Sequence, residues 1–301
     1  SPATVANLLD SPAVVAARWA RPSRSLAAPV GRMATEVLSL DIRRDGPHCL
    51  VAGTTGAGKS ELLQTWISSL AAIHGPHAVT FLLVDYKGGA AFKDCSRLPH
   101  AVGMVTDLDA AGVNRALQSL RAELTRRERV LHANDCADLA EMLDRGLPGA
   151  PPSLLIVVDE FAALVQEVPE FIEGVVGVAQ RGRSLGLHLV LATQRPAGVI
   201  TPQIRANTDL RIALRVADAE DSTDVIDVPD AAHIDRAFPG RAIVRIGPRD
   251  RVPFQTAYVG GVSGAGADGP AVSLAHLRFG PAGPKENGND GDGGFRKCGA
   301  D

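Results

Sequence analysis

One octapeptide does most to limit what this chain can fold into: Gly53-Thr54-Thr55-Gly56-Ala57-Gly58-Lys59-Ser60. The spacing GxxxxGK[ST] arises by chance about once in a hundred chains of this size, given average residue frequencies. It stands between a short apolar run, His48–Val51, and a segment, Glu61–Ala72, in which Leu62, Leu63, Trp66 and Leu70 recur at helical spacing. Strand, glycine-rich turn and helix together aim backbone N–H groups at an anion. The glycines turn without interference from a Cβ, and the helix N-terminus adds partial positive charge. Gly53, Thr54, Thr55, Gly56, Ala57, Gly58, Lys59, Ser60 and Glu61 are therefore the candidate nucleotide-binding residues. Lys59 reaches the β- and γ-phosphates in this pattern, and the Ser60 hydroxyl ligates Mg²⁺.

A phosphate loop needs a carboxylate to hold the metal shell and a base to direct water. Ser153–Glu160 supplies both, because the apolar run Leu154–Val158 ends in Asp159-Glu160. Asp159 is the candidate for the Mg²⁺ shell. Glu160, turned elsewhere by the bend, is the candidate to polarise an attacking water. A third polar stop follows another apolar run: in Leu191–Pro196, Gln194 would lie near the γ-phosphate if its strand neighbours the one carrying Asp159. Asp-Glu and Thr-Gln also end strands in ordinary turns, so the weight comes from the three motifs together.

The remaining pattern sets the fold class. Apolar runs at Val79–Tyr86, Val102–Val105, Leu154–Val158, Leu187–Thr193 and Arg211–Val216 alternate with helical patterns at Val113–His132 and Phe171–Arg183. Arg241–Ile246 and Gln255–Val259 read as a closing pair of strands. Fully apolar strands separated by helices predict an α/β fold, a mostly parallel sheet flanked by helices on both faces. Three zones are expected: an Ala/Pro/Arg-rich N-terminal arm over residues 1–35, a nucleotide-binding domain over 36–260, and a Gly-rich tail over 261–301. Short helical patterns mark the arm, at Val5, Leu8 and Leu9 and again at Val14–Trp19. The tail, above all Gly280–Gly294, holds too little apolar surface to repay its ordering entropy and is expected to be disordered.

Composition excludes several classes. The formal net charge of −3 argues against coating nucleic acid by bulk electrostatics, and only five of the 31 basic residues are lysines. No apolar run reaches the roughly 18–20 residues that cross a bilayer. Cys49, Cys95, Cys136 and Cys298 are scattered without a CxxC pair, which fits buried thiols in a reducing compartment. No HxxxH or HExxH spacing occurs, so Mg²⁺ carried with the nucleotide is the one metal expected. Trp19 and Trp66 read as packing residues. The missing initiator Met and signal sequence suggest a piece of a longer protein.

Taken together, Gly53–Ser60, Asp159-Glu160 and Leu191–Pro196 resemble the motifs of FtsK/SpoIIIE-type ring motors, in which the Gln194 position is a sensor. Val84–Phe92, Leu98-Pro99-His100, Arg181–His188 and Arg205-Ala206-Asn207 are similar to the ATPase modules of type VII secretion proteins, the EccC family. They depart from the Asp-Pro-Lys stretch of chromosome-pumping members. The resemblance implies a RecA-like P-loop NTPase core, ATP and Mg²⁺ as ligands, hydrolysis, and assembly with itself or with other ATPase modules in a ring or stack. It implies secreted polypeptide as cargo, a place at the cytoplasmic face, and contact with the membrane only through regions outside this chain. A DNA translocase and a non-hydrolysing docking module are the alternatives. It also places an arginine finger, delivered to a neighbour, on the helix Val113–His132. Arg126 and Arg127 are the candidates, beside the plain alternative of ion pairs with Glu123 and Glu128. Arg181 and Arg183 come second. Lys87–Phe92, with Asp85 nearby, is either a turn close to the nucleotide or a purely structural one.

Overall fold

The fold follows from strands that are buried on both faces. In the computed structural model, which describes residues 12–21, 24–86, 91–106, 110–168, 170–247 and 250–260, every residue of β3 (Cys49–Ala52), β6 (Ser153–Asp159), β7 (Leu187–Thr193) and β8 (Leu210–Leu214) is buried. With β4 (Val79–Asp85) and β5 (Ala101–Val105), these make six parallel neighbours in the order β8-β3-β7-β6-β4-β5. Four antiparallel strands extend the β8 edge: β9 (Arg241–Ile246), β10 (Asp250–Thr256), β1 (Ala27–Arg32) and β2 (Val37–Asp41). The result is a ten-stranded, mostly parallel sheet in an α/β fold, as the alternating pattern predicts.

Successive side chains of a strand point to opposite faces, so a strand covered on both must be apolar throughout. Leu154, Ile156 and Val158, with Leu187, Leu189 and Leu191, face one apolar layer. That layer is built by α3 (Ala110–Ala133), α5 (Phe161–Glu167), α6 (Glu170–Leu185) and α8 (Ala219–Ile226). Leu155, Val157, Val190 and Ala192 face the other layer, where Leu62, Leu63, Trp66, Ile67 and Leu70 of α2 (Lys59–Ile73) pack. Each such side chain contributes about 1.5–3 kcal/mol on burial. The further described helices are α1 (Pro12–Trp19), α4 (Leu139–Asp144) and α7 (Pro202–Asn207).

Several boundaries differ from the sequence expectation. The closing strand Gln255–Val259 is instead Asp250–Thr256, because β10 mixes exposed and buried positions and carries Pro253, so its register is hidden from an apolar count. The expected arm over 1–35 ends in a strand of the sheet, β1, paired with β2 and β10. Its helix α1 is tied to α2 by Trp19 Nε1, which donates to the Ala71 carbonyl at 2.9 Å. The pattern at Val5, Leu8 and Leu9, the tail over 261–301 and Lys87–Ala90 lie outside the described residues. Cys49, Cys95 and Cys136 are free thiols; burial pushes the Cys95 thiol up to about 11. Among the described residues no helix is long and apolar enough to cross a membrane.

Candidate active site

Because β8, β3, β7 and β6 are parallel neighbours, their carboxyl ends open on one edge of the sheet. Ligands of such sheets bind at that edge. Four segments meet there: the phosphate loop after β3, Asp159-Glu160 after β6, Gln194 after β7 and Arg215 after β8.

The loop is fastened on every side. Gly53 N donates to the Thr193 carbonyl at 3.2 Å, Thr54 N to the Arg215 carbonyl at 2.9 Å, and Gly240 N to the Ala57 carbonyl at 2.8 Å. Gly58 has φ +96°, and a Cβ there would stand 2.8 Å from Gly240 N. Glycine at that position therefore answers both a left-handed backbone and a close approach. Ser60 and Glu61 open α2, with Glu61 in its first turn.

Lys59 is 5% exposed, and its Nζ lies between the two carboxylates, donating to Asp159 Oδ1 and, at 2.9 Å, to Glu160 Oε1. Ser60 Oγ donates to Asp159 Oδ2 at 3.3 Å. Glu160 adopts φ 57°, ψ 43°, an unusual left-handed state for a side-chain-bearing residue, and begins α5. That turn sends Glu160 in a different direction from Asp159 while both reach the ammonium. Two carboxylates thus converge on one ammonium in a buried site. The Ser60 hydroxyl and Asp159 are hard oxygen donors in contact. Such a set fits Mg²⁺, which takes one or two carboxylates and completes its shell with phosphate and water. Among the described residues no cluster of three or more His, Cys, Asp or Glu forms a metal site of its own.

Gln194 meets the loop from the β7 side: Thr55 Oγ1 donates to its Oε1 at 2.9 Å. Asp85 Oδ2 accepts from Ala91 N at 2.9 Å.

The arginine candidates separate sharply. Arg126 forks onto Glu123 at 2.7 Å through both Nε and Nη2, with its side chain 53% exposed. Arg127 is 2% exposed and cannot reach a neighbouring chain. Its Nη1 donates to the Leu185 carbonyl at 2.9 Å, its Nη2 to the Pro152 carbonyl at 2.7 Å and its Nε to Glu123 at 2.7 Å. It ties α3 to the amino ends of β6 and β7, the edge opposite the loop, so its assignment as a finger is corrected to a packing role. Arg181 stands 3.8 Å from Glu128 and is exposed, as is Arg183.

Two residues escaped the motif reading. Arg215 and Arg236, with Thr54 and Thr55, line a cavity of about 530 Å³ beside the loop. Arg215 ends an apolar strand as Asp159 does, and that position was the available signal. A larger cavity of about 620 Å³ lies at the opposite edge, lined by Arg43, Ser153, Arg183 and His188 among others, and shares no residue with the loop.

A phosphate loop facing an Asp-Glu pair across a mostly parallel, helix-flanked sheet defines a P-loop nucleotide-binding domain of the ATPase type. The chain belongs to the FtsK/SpoIIIE family, whose model matches residues 8–150 and 143–198. It is similar to the type VII secretion system protein EssC of Staphylococcus aureus (strain NCTC 8325), with 43% identity over 245 residues, which is 79% of this chain and 16% of that protein. The chain thus spans less than a fifth of that relative. The structure is similar to the cytoplasmic domain of the Thermomonospora curvata type VII secretion ATPase EccC, with a TM-score of 0.76 and 37% identity over 82% of this chain and 30% of that one. It is also similar to the pCW3 conjugation coupling protein TcpA in a form with ATPγS, with a TM-score of 0.68 and 25% identity over 80% of this chain and 68% of that one.

Proposed function

We propose that this chain is an ATP-binding and ATP-hydrolysing module, dependent on Mg²⁺, that powers or gates protein export by a type VII secretion-like system. The observation that carries this is the buried Lys59–Asp159–Glu160 cluster beneath an intact phosphate loop. Without nucleotide, Lys59 bridges the two carboxylates. When the β- and γ-phosphates enter, the ammonium exchanges carboxylate for phosphate, which frees Asp159 and Ser60 for the Mg²⁺ shell and Glu160 for water. Glu160 then orients the water that attacks the γ-phosphorus, and Gln194 reports the state of the phosphate. The backbone N–H groups of Gly53 through Ser60 hold the phosphate oxygens in place before reaction, so little reorganisation is needed during it.

In this reading the ATPase domain spans residues 36–260 together with the strand and helix of the preceding arm. It assembles with further copies or other ATPase modules, and Arg126 is the candidate to complete a neighbour's site. Its cargo is a secreted polypeptide, and it works at the cytoplasmic face. The 43% identity to a secretion protein weighs for export, against 25% to a conjugation coupling protein.

Turnover measured over a range of protein concentrations tests the reading, with and without duplex DNA and candidate secreted helical-hairpin proteins. Export predicts stimulation by the secreted protein. Stimulation by DNA alone, with a steep salt dependence, would instead make the chain a DNA motor. Negligible turnover at every concentration would leave a nucleotide-dependent docking module. Lys59→Ala is expected to abolish both nucleotide binding and turnover.

A further inference from the structure

Thr55, exposed at the outer turn of the loop, is held from both sides. Toward β7 its hydroxyl donates to Gln194 Oε1 at 2.9 Å, and toward β8 its carbonyl accepts from Arg215 Nη2 at 3.3 Å. One residue earlier, Thr54 N and Thr54 Oγ1 both donate to the Arg215 carbonyl, at 2.9 and 3.1 Å. Arg215 is thus joined to the loop by main chain and side chain at once. A continuous path of hydrogen bonds runs from Arg215 through Thr55 to Gln194, across the ends of the adjacent strands β8, β3 and β7.

The charge of Arg215 is used unlike that of its neighbours. Arg205 pairs with Asp224, and Arg211, Arg245 and Arg251 all meet Asp227. Arg215 makes no ion pair among the described residues, and neither does Arg236 on the same cavity wall. A guanidinium has five N–H donors in a rigid fork, and here one of them is spent on the outer turn of a phosphate loop. With Gln194 Oε1 engaged by Thr55, the amide NH₂ is the end left to donate to an anion.

We propose that Arg215 is a positioning residue for hydrolysis in its own module: it fixes Thr55, and through Thr55 it sets the orientation of the Gln194 amide. The proposal rests on the hydrolytic reading given above. It assigns Arg215 no contact with the nucleotide, so nucleotide affinity and turnover must respond differently to its loss.

The test is steady-state ATP turnover and nucleotide affinity, with ATPγS as the probe, for Arg215→Met, Arg215→Lys, Thr55→Val and Gln194→Ala. The methionine keeps the stem and the backbone bonds to Thr54. Arg215→Met is expected to lower kcat about ten-fold, as loss of positioning does, with ATPγS affinity within about two-fold of the unaltered protein. Thr55→Val reproduces this, Arg215→Lys recovers part of it, and Arg215→Met adds nothing once Gln194 is alanine. The proposal is overturned if Arg215→Met matches the unaltered protein. It is overturned as well if affinity falls while kcat holds, or if its effect multiplies with that of Gln194→Ala. An unaltered protein that does not turn over removes the hydrolytic reading and this proposal together, whereas turnover that ignores Arg215 removes this proposal alone.

Discussion

Replacing Arg127 by methionine separates architecture from catalysis on the helix that carries the two leading finger candidates, Arg126 and Arg127. The side chain is 2% exposed and donates to the Leu185 and Pro152 carbonyls at 2.9 and 2.7 Å. Burial also pulls its pKa below the usual arginine value, so the fold bears a desolvation cost that these bonds offset. Hydrogen bonds from a charged donor are worth about 1.5–3 kcal/mol each, and each buried carbonyl left without a donor costs about 1–3 kcal/mol. Methionine fills much of the volume and removes the desolvated charge, and Glu123 keeps Arg126 as a partner. The net loss is then about 3–5 kcal/mol, as when one partner of a buried pair is removed. At about 2–4 °C per kcal/mol for a domain of this size, Tm falls by roughly 10 °C. Thermal and urea unfolding read the loss, with Arg126→Met as the control on the same turn. The exposed pair of Arg126 with Glu123 is worth at most about 1 kcal/mol. Arg127→Met melting with the unaltered protein while abolishing turnover in mixed assemblies would refute the packing role and restore Arg127 as a finger.

Three further outcomes are expected. Gly58→Ala places a Cβ 2.8 Å from Gly240 N at φ +96°; it should cost about 2–3 kcal/mol in urea unfolding and abolish ATPγS binding. Burial holds the His188 imidazole down to about 3, so between that value and pH 6.5 the unfolded chain binds a proton that the folded chain refuses, and stability falls as pH falls. His188 alone removes about 2 kcal/mol between pH 7 and pH 5, and His74 and His100, also lowered by burial, act in the same direction. His188→Gln should reduce that pH dependence in urea titrations, and an unchanged slope would contradict the assignment. Arg126→Ala should leave stability within about 1 kcal/mol yet abolish turnover alone, and mixing it with Glu160→Gln should recover part of that turnover, because an Arg126→Ala site then meets an intact Arg126 on its neighbour; no recovery on mixing would count against Arg126 as the finger.

How much could be read from the chain depended on where each residue's partners lie. Strands β3, β6, β7 and β8 were legible because burial on both faces forces an unbroken apolar run, and the phosphate loop because its function fixes its spacing. Strand β1, Ala27–Arg32, was not, since Pro29 and Gly31 read as loop residues and the register shifts between them. Helix α5 was hidden by brevity: Phe161–Glu167 follows Glu160 directly, and only the left-handed turn at Glu160 sets it apart from the strand before it. The roles that escaped depend on long-range partners. Arg215 meets the loop 160 positions away, and Arg127 meets Leu185 at a separation of 58, and neither partner leaves a local pattern. Periodicity placed Arg126 and Arg127 on one helix, but one turns outward to Glu123 and the other inward to backbone carbonyls. That choice is made by α6 and the amino ends of β6 and β7.

In the proposed function, Glu160 directs water at a γ-phosphate held by the loop and Lys59. Glu160→Gln keeps the size and the left-handed turn and removes the base. With ATP and Mg²⁺ in excess, at a protein concentration where the unaltered chain turns over, phosphate release by Glu160→Gln should fall about 10²–10⁴-fold, with ATPγS affinity unchanged. Phosphate release by Glu160→Gln at the rate of the unaltered protein would contradict the claim.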